Sequence, residues 1–173
     1  MNPVFRCAAL AALLPALAFG HDHARLGHFD VIDDSRILLH SSDGIEGTLL
    51  PDGQFLVGGD AVALTPAQQA LLKDYQAGVR VLARDAAATA KAGAATATAA
   101  LVAVASSFAG GDSSKAEARI DAPAARTQAA AMQVCTDLAS LHDQQQVIAA
   151  QLPAFRPYAK IEMDDVRGCA EQS

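Results

Sequence analysis

The spacing of apolar residues changes twice along this chain. From Phe29 to Leu64 it comes in strand-length bursts, Arg36 to His40, Ile45 to Leu50, Gln54 to Val57 and Ala61 to Leu64, with Pro51-Asp52-Gly53 and Gly58-Gly59-Asp60 between them. Proline presets φ and glycine accepts positive φ, so these tripeptides read as turns and the bursts predict a small antiparallel β-meander. At Thr65 the period becomes helical. Leu71, Leu72, Tyr75, Val79 and Leu82 recur on one stripe, which predicts a helix laid on the sheet. Thr65-Pro66-Ala67-Gln68 supplies a hydroxyl N-cap, proline at the first helical position and a glutamine three residues on, so Thr65 and Gln68 form a capping box that satisfies the orphan N–H groups of the helix start.

Beyond Asp85 alanine dominates, and no charge falls between Lys91 and Asp112. Alanine is the best helix former, so the helix is predicted to run to about Phe108, with Gly78 and Gly93 as soft points and Gly110-Gly111 ending it. From Pro66 that is roughly 65 Å at about 1.5 Å per residue. Asp112 or Ser113 can cap a short helical piece through Asp121, and Pro123 is expected to start another helix. Val134, Leu138, Leu141, Gln145, Ile148 and Leu152 then follow a heptad seam interrupted by Gln145. Two helices about a Gly-Gly turn predict an antiparallel hairpin. Pro153 and Pro157 stop regular helix, and Phe155, Tyr158, Ile161 and Met163 read as a tail pressed back onto the core.

The fold class is therefore α+β: an N-terminal antiparallel β-meander, a long Ala-rich helical hairpin and a disulfide-tied C-terminal tail. Residues 1–20 read as a secretory signal, with Arg6 ahead of an apolar run from Cys7 to Phe19, and with Ala18 and Gly20 placed for cleavage before His21. The expected mature chain, 21–173, is long enough for one domain, divided into a β head (21–64), a helical body (65–152) and a tail (153–173).

Export changes the reading of the cysteines. Cys7 leaves with the signal, and its place ahead of the apolar run is not that of a lipid-anchored cysteine. Cys135 and Cys169 remain, and in an oxidising periplasm or exterior they are expected to form one disulfide. Charge excludes another class of partner. The formal net charge of −6 loses only Arg6 on cleavage, and no basic stripe exists to neutralise phosphates, so nucleic acid is not expected to bind.

The stretch from Pro51-Asp52-Gly53 through Gly58-Gly59, Leu64-Thr65, Gln68 and Tyr75 to Val79-Arg80 resembles the head of the YggN-like family of exported bacterial proteins of unknown function. Val134-Cys135 with Leu138 and Leu141 resembles that family's carboxy-terminal helix, so the likeness spans most of the mature chain. It implies an envelope protein with a β head and a helical body, and it transfers no catalytic residue. Relatives tend to carry a further cysteine early in the mature chain. This sequence has none there, and the pairing of Cys135 with Cys169 rests on its own count.

Candidate chemistry is sparse. Cleavage after Gly20 would expose His21-Asp22-His23, and a free amine, two amides and a histidine at position three form a square-planar nitrogen set suited to Cu(II) or Ni(II). The alternative is a polar terminus with no ligand. His28 and His40 can add ligands, but no zinc spacing is present. Asp30, Asp33 and Asp34, and Glu162, Asp164 and Asp165, lack the alternating oxygen ligands and central glycine of a calcium loop and are read as solvated surface. His142 and Asp143, adjacent on a helix, are expected to point apart. Ser106, Ser107, Ser113, Ser114 and Ser140 are not read as nucleophiles. An enzyme is not expected.

The uncharged run 92–111 is long enough to cross a membrane, yet its strongly apolar residues are only Leu101, Val102, Val104 and Phe108, so a membrane span is not expected. Small residues four apart, such as Ala90, Ala94 and Thr98 or Ala95, Ala99 and Ala103, read instead as a face that lets another helix approach closely. The expected function is non-enzymatic binding or assembly in the envelope through the helical face, with a protein partner or by self-association. A periplasmic Cu/Ni-binding protein is the alternative, and a membrane-associating helical protein the weaker one.

Overall fold

A computed structural model describes residues 24–25, 28–32, 35–108 and 113–172. Six short strands, β1 (Ala24–Arg25), β2 (Phe29–Val31), β3 (Ile37–His40), β4 (Glu46–Leu49), β5 (Phe55–Val57) and β6 (Asp60–Ala61), lie in one sheet in sequence order, every neighbour antiparallel. This is the expected meander, with β1 and β2 added ahead of it and the last strand placed earlier than Ala61 to Leu64. β3 alternates, with Ile37 and Leu39 buried and Leu38 and His40 half-buried, as the two-residue period of a strand requires.

The β4–β5 turn is seated on the first helix. Gly53 adopts φ +83°, and a Cβ there would collide with the Gln69 carbonyl oxygen, so glycine is needed both for the turn and for the close approach. Asp52 Oδ1 accepts the Gln54 N–H at 3.0 Å, and the Asp52 carbonyl accepts the Gln69 side-chain amide at 3.0 Å.

Helix α1 (Pro66–Phe108) and helix α2 (Ser113–Gln151) form the predicted hairpin, followed by a 3₁₀ helix (Pro153–Tyr158) and α3 (Met163–Gln172). Two expectations are corrected. No break separates a short helix ending at Asp121 from one starting at Pro123: α2 runs through Pro123. An interior proline normally costs ~3 kcal/mol through one lost hydrogen bond and a ring clash; here the turn that follows lies against α1, with Thr127 Oγ1 3.3 Å from Thr96 Oγ1, and the Pro123 carbonyl accepts a bond from Thr127 Oγ1 at 3.1 Å. The tail also regains helix beyond the prolines as α3, where Asp164 and Asp165 occupy the first turn and Asp165 Oδ2 accepts the Glu162 N–H at 2.8 Å.

The core sits at one end of the hairpin. Phe29, Ile37, Leu39, Leu49 and Phe55 of the sheet meet Leu72, Tyr75, Val79 and Leu82 of α1, Leu141 and Ile148 of α2, and Phe155, Tyr158 and Ile161 of the tail. Its aromatic centre is Phe55, tilted against Phe155 and edge-on to Tyr158, with centroids 5.7 and 5.4 Å away; Tyr75 meets Phe155 edge-on at 5.5 Å. Such edge contacts match the ring quadrupoles. A Cβ on Gly47 would lie 2.9 Å from Tyr158, so glycine in β4 makes room for that ring.

Gln145, the interruption in the heptad seam, is fully buried. Its side-chain amide donates to the Ile161 carbonyl and its Oε1 accepts the Ile161 N–H at 3.2 Å. A polar residue at a seam position thus replaces the water that the tail backbone gives up on burial.

Candidate functional site

The capping box forms as read: the Gln68 N–H donates to Thr65 Oγ1 at 3.3 Å and the Thr65 N–H to Gln68 Oε1 at 2.9 Å. Cys135 and Cys169 are disulfide-bonded, with Cα atoms 5.5 Å apart, and tie α3 to α2. The signal segment 1–20, its cleavage point, His21 and His23, and the Gly110-Gly111 turn lie outside the described residues.

Past the core the two helices continue as an arm. No described side chain between Arg84 and Val102, or between Asp121 and Val134, is fully buried. The inner faces are small: a Cβ on Gly93 would lie 3.9 Å from Thr127, and Thr96 Oγ1 is 3.3 Å from Thr127 Oγ1. Within the chain Thr89, Gly93, Thr96 and Ala100 turn inward, so the expected stripe Ala90, Ala94 and Thr98 is exposed and does not make the contact between α1 and α2. The two registers lie one to two residues apart, which spacing among near-identical alanines does not resolve.

The outer surface of the arm is more apolar than its composition suggests. The exposed Thr98 and Thr136 donate their hydroxyls to the carbonyl four residues earlier at 2.9 and 3.0 Å, as the inward Thr89, Thr96 and Thr127 do at 2.8 to 3.1 Å. A hydroxyl satisfied by its own helix leaves the methyl as the threonine's outward chemistry. Leu101 and Val102 are 64% and 62% exposed, and Met132 57%. Among the described residues, no helix is long and apolar enough to cross a membrane.

Beside the core, at the head end of the hairpin, a groove of about 400 Å³ opens between the helices. Leu71 and Asp74 line it from α1, and Gln144, Asp143, Val147 and Ile148 from α2. Gln68 joins the two helices by donating its side-chain amide to the Gln151 carbonyl at 2.8 Å. Gly78 stands against Leu141, 2.9 Å from where a Cβ would be.

The three described histidines lie beside carboxylates. His40 Nε2 lies 3.1 Å from Asp30 Oδ2, and Asp30 is buried, contrary to the solvated role expected for it. The strand alternation places Asp30 on the His40 side of the sheet, where a cross-strand imidazole covers it. His28 reaches Asp165 on α3 at 3.7 Å. His142 Nδ1 meets Asp143 Oδ1 at 3.0 Å, correcting the expectation that these neighbours point apart; rotation about the side-chain torsions brings the two tips together although the Cβ atoms diverge. No group of three or more His, Cys, Asp or Glu placed to hold a metal ion occurs among the described residues. Beside the sheet, Asp43 is held below the usual carboxylate range by the Ser41 hydroxyl and then by the Ile45 N–H.

Comparison of the chain with protein-family models, curated proteins and solved structures gives no match.

Proposed function

We propose that this is an exported envelope protein that acts by assembly, with the helical arm docking against the arm of a second copy. The observation that carries the reading is the arm itself, a two-helix extension in which no described side chain is fully buried. A helix pair alone gains little from packing, and most helical stability in proteins comes from a buried face. Two such arms side by side would complete a four-helix bundle.

Size and charge favour a second copy. The arm, about 25 residues per helix, is roughly 36 Å long and 20 Å wide, on the order of 700 Å² per face, against about 800 Å² per partner in stable interfaces. The stretch 92–108 of α1, which carries the exposed Leu101 and Val102, holds no charge, so docking through that part of α1 strips water from no ion of its own. Export rests on the signal-like segment 1–20 and on the resemblance to exported YggN-like proteins, and a disulfide fits an oxidising compartment. The non-catalytic reading follows from the sequence, which brings no nucleophile, base and acid together.

Sedimentation velocity over a concentration series tests assembly. Wild type is expected to shift toward dimer as concentration rises, and Leu101→Glu with Val102→Glu to stay monomeric while retaining the wild-type circular dichroism. A wild type that remains monomeric at the highest concentrations refutes the proposal.

A further inference from the structure

The tail divides at Ile161 into a half built into the core and a half that is not. Phe155, Tyr158 and Ile161 are buried, and Gln145 of α2 holds the Ile161 backbone through both groups of its side-chain amide. In α3, Val166, Gly168 and Cys169 are half-buried and every other residue from Met163 to Glu171 is exposed. A helix of ten residues is marginal in water by itself, so α3 depends on what ties it down. Among the described residues it is tied by Val166 packed on the core, by His28 lying 3.7 Å from Asp165, and by the disulfide to Cys135. Val166 is one side chain, and an ion pair as exposed as the second contributes little. The disulfide is the strong tie.

Ile161 is held at Gln145 and Cys169 at Cys135, so α3 runs antiparallel to α2 over about 15 Å, at ~1.5 Å per residue. Cys135, Leu138, His142 and Gln145 recur at spacings of 3, 4 and 3 on one helical face. Leu138 and His142 therefore lie on the face that α3 straps, Leu138 half-buried and the His142 side chain 13% exposed. One turn beyond Cys135, Met132 is 57% exposed, so the strap stops where the open surface of the arm starts. We propose that the disulfide is a reducible latch, and that opening it frees α3 and extends the docking surface of the arm along α2 from Met132 to Leu138. This rests on assembly through the arm, and the occupant is again a second copy, because Leu138 continues the surface that Met132 opens. The reductant is a protein dithiol. Its first thiolate attacks Sγ of Cys169, the half-buried partner, since Cys135 is buried. A mixed disulfide forms on Cys169, and Cys135 leaves as a thiolate that takes up a proton. The second thiolate of the reductant then displaces Cys169, which also leaves protonated, so two electrons and two protons reach the chain and the dithiol departs as a disulfide.

Two readouts test the latch, with dithiothreitol as the dithiol. The first is release of α3, which is independent of assembly. On reduction the amides of 163–172 are expected to exchange about tenfold faster or more, while those of 145–158 and of β3 to β5 keep their rates. In Cys169→Ser, iodoacetamide should alkylate Cys135 nearly as fast as in the urea-unfolded chain. The second readout is sedimentation velocity. The reduced protein should dimerise at about tenfold lower concentration than the oxidised one, and Cys135→Ser with Cys169→Ser should do so without dithiothreitol. Unchanged exchange in α3 on reduction, a Cys135 that stays protected in Cys169→Ser, or dimers of equal affinity in both redox states overturn the latch. A monomer in both redox states contradicts assembly through the arm itself, and the extended docking surface falls with it.

Discussion

At the scale of single residues, the tail is held by one covalent and one polar clamp. The disulfide spans a sequence separation of 34, which corresponds to about 3–4 kcal/mol in the chain-entropy treatment. Cys169→Ser should lower the melting temperature accordingly, and an unchanged melting curve would show that the tail holds without it. Two tyrosines set an alkaline limit. Burial raises the Tyr75 phenol far above its ordinary pKa of about 10, and Tyr158 is raised by burial and then by the nearby Asp43 charge. The unfolded chain releases these protons first, so their contribution is complete below about pH 10 and is lost as pH rises through the folded values. Stability measured by urea titration should fall with rising pH above about 10, and less steeply in Tyr75→Phe. His21 and His23 carry a separate proposal. Amino-terminal sequencing that finds His21 first should be matched by Cu(II) binding that His23→Ala weakens sharply and that strengthens as pH rises, since the amides must deprotonate; equal affinity in both proteins would leave the terminus without a metal role.

At the scale of elements, local signals were legible and distant partners were not. The Thr65–Gln68 box is written within four residues, and the two bonds it implies are both present. Removing the hydroxyl in Thr65→Ala should cost about 1 kcal/mol in denaturant unfolding, and Thr65→Ser should recover most of it. Gln145 was legible only as a flaw in a heptad, because its partner is the backbone of Ile161, 16 residues away. Asp30 read as surface because its imidazole partner comes from the next strand. Pro123 read as a helix start because its local cost is plain in sequence, yet α2 runs through it unbroken. The groove was invisible for the same reason: Asp74 and Asp143 are 69 positions apart, and only the pairing of α1 with α2 brings them to one cavity.

At the scale of the molecule, the parts divide into an anchored head and an extended arm. The head concentrates the sheet, the aromatic centre and the disulfide, while the arm has satisfied hydroxyls, small inner faces and exposed Leu101, Val102 and Met132. Elements with few buried apolar contacts open most readily, so local stability is expected to fall from head to arm unless a second arm covers the first. Amide hydrogen exchange across 92–102 and 124–134, followed as a function of protein concentration, tests this most directly. The account predicts that these amides gain protection as concentration rises, that the head amides do not change, and that Leu101→Glu with Val102→Glu removes the gain. Exchange in the arm that stays fast and independent of concentration, in wild type as in the variant, would contradict it.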